Sequence, residues 1–506
     1  MTHNLYSLFR THFPEDRGKR LLTDERGRTL SYGEADAAVA RMAGALRARG
    51  LKPGDRVSVQ VEKSPDLLIL YLACLAGGFV FHPINTAYQE GELSYLFADA
   101  EPALAVIRPE LLELAGAAAR ASGVPDLLTL GQDGEGTLMQ AAAAAEPVAE
   151  SCPRAPDDLA ALLYSSGTTG KPKGAMLTHG NLASNAAALV QSWGFSAEDR
   201  LLHALPLFHA HGLFVGVSCT LYAGASMHFL RKFEAASVLR FLPEATVFMG
   251  VPTYYTRLLA EPEFGPEACR GVRLFVSGSA PLLPETFHRF REATGHTVLE
   301  RYGMTETLMN SSNPLRGERV AGSVGRPLPG IQLRIADAEG RALGDEEIGE
   351  IQVKGPNVCR GYWRNAQKTA EAFTADGWFR TGDLGRRDAR GYYFIVGRAK
   401  DLIISGGLNV YPKEVEDCID ALEGVAESAV VGIPDADFGE AVAAIVVRRD
   451  GAAEDPDEAA VIRHVRERLA NFKTPKRVRF LRELPRNAMG KVEKAELRRM
   501  LAGESR

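Results

Sequence analysis

Stretches of apolar residues alternate with amphipathic stretches along most of the chain, and this pattern predicts strands and helices in turn. In residues 51–63 a Lys-Pro-Gly-Asp turn precedes Val57, Val59 and Val61, whose alternation with other positions is typical of a strand. Residues 64–77 follow as a predicted helix. A succession of strand and helix is typical of parallel sheets covered by helices.

The same succession returns in the middle of the chain. Its predicted elements are a strand at 245–251, a helix at 254–260, a strand at 272–276, a helix at 285–294 and a strand at 297–302. In such sheets, ligands bind beyond the carboxyl ends of the strands. Glycine-rich loops follow Leu163, Val276 and Tyr302, so we expect a binding site at these strand ends.

The pattern changes in the last third of the chain. Residues 322–391 hold short apolar stretches between Gly, Pro and Asp turns, which predicts a β-rich subdomain. A further unit begins near Lys400, and its predicted elements are helices at 412–421 and 457–470 and strands at 428–433 and 442–448. The predicted fold class is α/β, with a large domain of parallel-rich sheets at 1–399 and a small α+β domain at 400–506.

Composition is ordinary for a soluble globular protein. The chain has 506 residues, which is long for one core, with 45% hydrophobic and 24% charged residues. Its net charge of −5 gives no reason to expect a nucleic acid or an anionic membrane as partner. The longest apolar run, 67–81, is shorter than the ~20 residues of a membrane-spanning helix, so we expect a buried core helix there.

The cysteines and the first residues bear on the compartment. The six cysteines show no CxxC spacing and no clustering with histidine, which argues against a zinc site or a disulfide framework and favours a reducing compartment. Residues 1–10 carry no long apolar core, so no signal peptide is predicted. We therefore expect a cytoplasmic protein.

Residues 164–174 carry the strongest chemical signal. They read YSSGTTGKPKG and expose backbone N–H groups beside Lys171 and Lys173, a combination that suits phosphate oxygens. The stretch is not a Walker loop, because Pro172 stands where that loop needs a Ser or Thr for magnesium. Taken alone, it is equally compatible with a flexible Gly/Ser turn.

Four further segments accompany this loop: SGSAP at 277–281, RYGMTET at 301–307, TGD at 381–383 with Gly397-Arg398, and PRNAMGK at 485–491. Together the five resemble the adenylate-forming superfamily of acyl-CoA synthetases, luciferases and peptide-synthetase adenylation domains. The resemblance covers nearly the whole chain. It implies activation of a carboxylic acid by ATP with magnesium, transfer of the acyl group to CoA, and a mobile small domain.

The resemblance implies a phosphate site and a metal ligand. Glu306 would hold magnesium that bridges the phosphates, since this cation prefers carboxylate oxygen; a surface ion pair is the alternative for a glutamate. The residues expected at the β- and γ-phosphates are Ser165, Ser166, Gly167, Thr168, Thr169, Gly170, Lys171 and Lys173.

The resemblance also implies a nucleoside site. Asp383, assisted by Arg398, would accept hydrogen bonds from the ribose hydroxyls, although an ordinary Asp turn is an alternative. The residues expected around adenine and the rest of ATP are Gly278, Ser279, Ala280, Pro281, Tyr302, Gly303, Met304 and Thr305.

The small domain supplies the remaining catalytic residues implied by the resemblance. Lys491 would bridge the carboxylate and the α-phosphate, and the domain would turn about Lys400 for thioester formation. Gly406 and Gly407 would line the path of the pantetheine arm. The basic stretch 473–479 is a candidate for the CoA phosphates, with a solvated charge run as the alternative. The stretch 485–491 also resembles the surroundings of lysines that bacterial acetyltransferases modify. A lysine acetyltransferase that acts on Lys491 is therefore a candidate partner.

Arg301 bears on the identity of the acid. Relatives that take monocarboxylic acids usually carry glycine or another uncharged residue there, and a guanidinium suits a second carboxylate. Residues 300–314 and 250–259 resemble malonyl-CoA synthetases. We therefore expect malonate, with methylmalonate not distinguished, and an acid pocket that also contains Ser277, Ser279, Arg257, Met304 and the catalytic candidate His209.

Other interpretations stay open at this point. Arg301 is also compatible with an ion pair to Glu300 or to the β-rich region, although adjacent strand residues point to opposite faces. The alternative function is CoA ligation of another short-chain or aromatic monocarboxylic acid. Peptide-synthetase adenylation fits less well because His209 replaces the aspartate of those enzymes, an oxygenase would suit Arg301 poorly, and a silent scaffold would not need the whole set of charged residues.

Overall fold

The computed structural model describes residues 3–165, 172–405, 408–435, 438–449, 451–452, 455–487 and 490–502. Eight of the predicted site residues lie outside these ranges: Ser166, Gly167, Thr168, Thr169, Gly170, Lys171, Gly406 and Gly407.

The described strands, in chain order, are β1 (Arg20–Asp24), β2 (Thr29–Ser31), β3 (Arg56–Gln60), β4 (Val80–Pro83), β5 (Leu104–Ile107), β6 (Leu127–Thr129), β7 (Leu159–Ser165), β8 (Lys173–Thr178), β9 (Arg200–His203), β10 (Ser226–Phe229), β11 (Val247–Gly250), β12 (Leu274–Ser277), β13 (Leu299–Met304), β14 (Leu308–Ser312), β15 (Arg326–Pro327), β16 (Gln332–Ala336), β17 (Gly349–Lys354), β18 (Phe379–Arg387), β19 (Tyr393–Arg398), β20 (Ile403–Ser405), β21 (Leu408–Val410), β22 (Val425–Asp435), β23 (Gly439–Arg448) and β24 (Arg477–Leu481).

The described α-helices are α1 (Leu5–Thr11), α2 (Tyr32–Ala48), α3 (Pro65–Gly77), α4 (Glu90–Ala100), α5 (Leu112–Ala121), α6 (Thr137–Ala144), α7 (His179–Trp193), α8 (Ser218–Tyr222), α9 (Ala235–Phe241), α10 (Pro252–Leu258), α11 (Pro266–Cys269), α12 (Pro284–Thr294), α13 (Ala366–Ala372), α14 (Pro412–Asp420), α15 (Glu458–Arg468) and α16 (Lys494–Ala502). Short 3₁₀ helices cover Pro109–Leu111, Leu242–Glu244, Ala399–Asp401 and Asn471–Lys473, and a π-helix covers His211–Val217.

Contacts between α-carbons divide the chain into two compact units. The first unit contains Met1–Leu333 and Val353–Phe379, and the second contains Arg334–Gln352 and Arg380–Arg506. The domain boundary at Lys400 that the sequence suggests stays a prediction.

A nine-stranded sheet of the first unit carries the predicted parallel core. Its order is β15-β14-β13-β12-β11-β9-β10-β1-β2, and the pairs from β13 to β1 are parallel, with antiparallel strands at both edges. Phe248, Phe275, Tyr255 and Phe290 pack between these strands and the helices α10 and α12. Parallel strands end at the same edge, so β11, β12 and β13 place their last residues together.

One predicted loop is wrong. The chain does not turn after Tyr302 but continues as strand to Met304, because Tyr302 and Met304 pair antiparallel with Ser311 and Leu308. A register shift between Tyr302 and Gly303 accommodates this change of direction. The sequence pattern therefore did not predict the hairpin that β13 forms with β14.

A six-stranded sheet, ordered β6-β5-β3-β4-β7-β8, forms the other large layer of the first unit. The apolar run predicted as a core helix is α3, which is buried along its whole length. Ser64 caps its first turn by accepting a hydrogen bond from Leu67 N, and Gly78 ends it in the left-handed conformation. None of the helices in the described residues is long and apolar enough to cross a membrane.

The remaining sheets confirm the predicted β-rich and small-domain regions. A four-stranded sheet has the order β16-β17-β18-β19. In the second unit, β22 and β23 pair antiparallel from Val425–Arg448 to Asp435–Gly439, and α14 and α15 cover them around Val430, Val442 and Val465. The α/β fold class with a small α+β domain is confirmed.

Candidate active site

Glu306 is buried just beyond the end of β13 and joins two strands of the first unit. Its Oε1 accepts hydrogen bonds from Ser165 Oγ at 2.8 Å and Tyr362 Oη at 3.2 Å. Both of these hydrogen bonds are accepted by Oε1. Magnesium in nucleotide sites is held by one or two carboxylates together with phosphates and water. One oxygen of Glu306 takes part in hydrogen bonds within the protein, and a single carboxylate of this kind fits that ligand set. The burial of Glu306 excludes the alternative of a surface ion pair.

Tyr362 was missed by the sequence analysis. It lies in a segment that bridges to β8 through an Ala175–Tyr362 pair, and burial with the nearby Glu306 carboxylate raises its pKa. The Lys173 ammonium lies 5.2 Å from the centre of the Tyr362 ring, a cation–π distance. Tyr362 lies in no recognised motif, so only its contact with Glu306 identifies it as a candidate site residue.

The turn after β12 is strained at a serine. Ser279 has a φ of +73°, in the left-handed region that non-glycine residues rarely adopt. Ser277 is fully buried, and its Oγ has no hydrogen-bond partner among the described residues. Strain of this kind gathers at functional sites, where the surrounding structure holds it. The turn with Gly278, Ala280 and Pro281 is thus a candidate site on structural grounds as well.

Arg301 lies against this turn. A Cβ on Gly278 would stand 2.4 Å from its Cζ, so the guanidinium packs on the glycine backbone. Arg301 is 3% exposed, and within the described residues its Nε and Nη2 have no hydrogen-bond partner. Burial lowers its pKa to about 9, which leaves the guanidinium charged at neutral pH. The Glu300 carboxylate accepts a hydrogen bond from Leu282 N, in keeping with the opposite faces expected of neighbouring strand residues.

Two histidines stand near Arg301. His209 is half-buried, and its Nδ1 lies 3.4 Å from His211 N. His211 is fully buried at the start of the π-helix, with its Nδ1 3.3 Å from Ser279 Oγ. The sequence analysis named His209 and missed His211, although the His-Ala-His spacing contained both. A π-helix is itself a feature that is frequent at functional sites.

Other predicted residues of the first unit lie at different depths. Tyr302 is buried, and Gly303 has no room for a side chain because a Cβ would stand 2.0 Å from Leu308 O. Met304 and Thr305 are half-buried at the hairpin. Arg257 lies on the exposed side of α10, whereas Tyr255 of the same helix is buried and donates to Val276 O. The role of Arg257 in acid binding stays a prediction.

Asp383 and Arg398 meet in the second unit. They are paired across β18 and β19, and Arg398 Nε lies 2.7 Å from Asp383 Oδ1. Asp383 is buried, and its backbone N–H donates to Thr381 Oγ1. The structure therefore brings together the two residues predicted for the ribose hydroxyls, on a rigid pair of strands rather than in a loose turn.

Lys491 lies on an exposed turn of the second unit. Asn487 accepts a hydrogen bond from Lys491 N through its side chain and donates its own N–H to Lys491 O. Arg486 closes the turn by donating to Gly490 O. Lys400 lies in the exposed 3₁₀ helix Ala399–Asp401. The adenylation role of Lys491 and the hinge at Lys400 stay predictions.

The basic stretch 473–479 takes part in contacts within the second unit. Lys473 donates to both carboxylate oxygens of Glu414, and Lys476 lies 3.3 Å from Asp435 Oδ2. Arg477 and Arg479 donate to the carbonyl oxygens of Leu501 and Met500. Arg477 and Arg479 therefore link the sheet to α16, whereas the two lysines pair with carboxylates elsewhere in the unit. Binding of CoA phosphates by the stretch stays a prediction.

Comparison with known proteins identifies the family of this chain. The model of the AMP-binding enzyme family matches residues 9–363, and that of the AMP-binding enzyme C-terminal domain matches residues 414–491. This chain belongs to the AMP-binding enzyme family. The chain is similar to ATP-bound MatB from Rhodopseudomonas palustris, whose crystal structure matches it over 100% of both chains with 50% identity and a TM-score of 0.97.

Two curated relatives in the AMP-binding enzyme family bear on the acid. A mitochondrial malonate–CoA ligase of Mus musculus is 39% identical over 496 residues, which cover 90% of this chain and 84% of that protein. A sulfoacetate–CoA ligase of Cupriavidus necator is 38% identical over 483 residues, which cover 94% of each. Both names describe acids with a second anionic group.

Proposed function

We propose that this chain ligates malonate to CoA at the expense of ATP, through an acyl-adenylate, with release of AMP and pyrophosphate. The observation that carries the proposal is Arg301, a buried cation with two guanidinium nitrogens unpaired among the described residues. Burying an uncompensated charge costs on the order of several kcal/mol. The second carboxylate of malonate would offset that cost with charge-assisted hydrogen bonds.

The first step joins the acid to AMP. A carboxylate oxygen attacks the α-phosphorus of ATP, the bond from that phosphorus to the bridging oxygen breaks, and pyrophosphate leaves. Magnesium supplies neutralisation of phosphate charge when bound, and Glu306 would hold it. Asp383 with Arg398 would fix the ribose, and Lys491 would stabilise charge on the α-phosphate.

The second step makes the thioester. The CoA sulfur attacks the acyl carbon, the bond from that carbon to the AMP oxygen breaks, and the thiol proton passes to solvent. We propose that the small domain turns about Lys400 between the two steps, and that Gly406 and Gly407 let the pantetheine arm pass.

A panel of acids tests the proposal. Purified enzyme with ATP, magnesium and CoA is given malonate, methylmalonate, sulfoacetate, propionate or benzoate, and AMP, pyrophosphate and thioester are quantified. We expect kcat/KM for malonate to exceed that for propionate by at least about 30-fold, since loss of a partner for a buried charge costs about 2–5 kcal/mol. Equal use of propionate or benzoate would contradict the proposal.

Sulfoacetate is the second candidate, because a relative of similar identity is named for it. Its sulfonate has the charge that Arg301 needs, but it is tetrahedral and bulkier than a planar carboxylate. The bidentate match of a guanidinium to a carboxylate favours malonate. A higher kcat/KM for sulfoacetate than for malonate in the same panel would reverse this order.

Two further proposals concern the cell. We propose a cytoplasmic location, for which the six cysteines give support, since none of them is in a disulfide; subcellular fractionation tests it.

We also propose that a lysine acetyltransferase modifies Lys491, whose position on an exposed turn would allow access. Acetylation would remove its charge. Mass spectrometry of the modified protein, with adenylation rates before and after deacetylation, tests this proposal.

A further inference from the structure

His211 carries a hydrogen-bonding atom that no described residue satisfies. The side chain is 0% exposed, and its Nδ1 lies 3.3 Å from Ser279 Oγ. Its Nε2 has no partner within the described part of the chain. A buried polar atom left unsatisfied destabilises the fold, so each one in a native structure calls for an explanation.

The surroundings of His211 contain other atoms of the same kind. Ser277 Oγ and the Nε and Nη2 of Arg301 are also buried without a partner among the described residues. All adjoin the turn after β12, because Ser277 begins it, Arg301 packs on the Gly278 backbone and His211 contacts Ser279. Three side chains that can donate thus lie around residues 277–279, a larger set than a single guanidinium offers to an anion.

The charge of Arg301 affects the protonation of His211. Burial, followed by the nearby charges of Arg301, His209 and His203, lowers the pKa of His211 well below its ordinary value. The imidazole is therefore neutral, with one N–H to give. If Ser279 Oγ donates to Nδ1, the ring proton is on Nε2, the atom without a partner.

The backbone that carries His211 is firmly held. His203 Nε2 lies 2.9 Å from Gly212 O, and Lys63 Nζ lies 2.8 Å from both His203 Nδ1 and His203 O. Because a carbonyl oxygen can only accept, His203 carries its proton on Nε2 and donates it to Gly212 O, and its Nδ1 accepts from Lys63 Nζ. A Cβ on Gly212 would stand 2.1 Å from Pro206 O, so the chain passes here with no spare room. The His211 ring is fixed before any substrate arrives.

We propose that His211 is a specificity-determining residue, whose neutral imidazole donates an Nε2–H hydrogen bond to the second carboxylate of the acid held by Arg301. The inference rests on the proposed function. A neutral donor adds a hydrogen bond to the anion without burying a second positive charge, which would be costly beside Arg301. Arg301 supplies the charge, and His211 fixes the orientation of the carboxylate.

Two variants that differ in reach test the proposal. The amide of His211→Asn lies near the position of Nδ1, so it keeps the Ser279 contact and lacks the donor at Nε2, whereas the amide of His211→Gln extends to Nε2. We expect His211→Asn to lower kcat/KM for malonate about 10- to 100-fold, mainly through KM, since hydrogen bonds to charged groups contribute about 1.5–3 kcal/mol. We expect His211→Gln to stay within about fivefold of wild type. Neither should change kcat/KM for propionate or the Kd for ATP measured by calorimetry by more than about twofold.

His82 supplies a matched control. It is also fully buried, with Nδ1 2.8 Å from Ser58 Oγ and an Nε2 that no described residue partners, but it lies in β4. We expect His82→Asn to leave the ratio of malonate to propionate unchanged. Wild-type kinetics in His211→Asn, equal losses in the Asn and Gln variants, or equal losses for both acids would overturn the inference alone. Failure of the wild-type enzyme to use malonate would overturn the proposed function as well.

Discussion

Arg301 brings its charge into the interior at β13, where it packs on the Gly278 backbone. A guanidinium is well suited to pair with a planar anion when it is buried. If Arg301 holds the second carboxylate, as proposed, the choice of acid depends at the scale of one residue on a group whose Nε and Nη2 have no hydrogen-bond partner among the described residues.

Removal of this charge should separate acid binding from nucleotide binding. We expect Arg301→Ala to lower kcat/KM for malonate about 100-fold or more, since one partner of a buried charge pair is lost. The Kd for ATP should change by less than about threefold. Pyrophosphate release and calorimetry measure the two quantities. Arg270→Ala, on an exposed arginine beside Glu267, is the control; normal malonate activation by the Arg301 variant would exclude the assignment.

The strands and helices in the middle of the nine-stranded sheet were the part of the fold that the sequence predicted best. Apolar periodicity predicted β11, β12, α10 and α12 to within a few residues, because buried parallel strands and their covering helices have distinct periods. It did not predict the continuation of β13 into a hairpin, since the pairing partner β14 determines that register.

The sequence predicted the site residues that lie within recognisable motifs. Glu306, Arg301 and Asp383 stand in recognisable segments, and the structure finds all three buried. Tyr362 and His211 were missed because their importance depends on contacts with residues far away in sequence, Glu306 and Ser279. Periodicity and local motifs carry no information on such contacts.

The turn after β12 also gives a prediction, at the scale of the element. Gly278→Ala would place a Cβ 2.4 Å from Arg301 Cζ, so either the guanidinium or the turn must move. We expect KM for malonate to rise about 10- to 100-fold, the effect of displacing a positioning group by about 1 Å. KM for ATP should rise less. Steady-state kinetics check this, with Gly91→Ala as control, because a Cβ there meets nothing within 4 Å.

The two half-reactions give a prediction at the scale of the whole molecule. If Lys491 acts only in adenylation, Lys491→Ala should slow acyl-adenylate formation about 100-fold or more, the usual effect of removing one group that stabilises transition-state charge. The same variant should convert supplied malonyl-adenylate and CoA to thioester at a rate near that of wild type. Rapid-quench assays measure each step separately.

The control for this experiment is Lys368→Ala, because Lys368 lies on the surface and pairs with Glu371. It should leave both rates unchanged. Equal loss of both half-reactions in Lys491→Ala would instead indicate that Lys491 has a general role in holding its turn.

Glu306 has a consequence for how such an enzyme can change during evolution. The carboxylate links Ser165 of one large sheet to Tyr362, while Cys359 N donates to the Glu306 backbone oxygen. If Glu306 also holds magnesium, as proposed, a substitution there would weaken these contacts and the metal site together, and extra magnesium would restore only the second. Two selective pressures would then act on one side chain, and a lineage that adopts a new acid would have more freedom to vary Arg301 than Glu306.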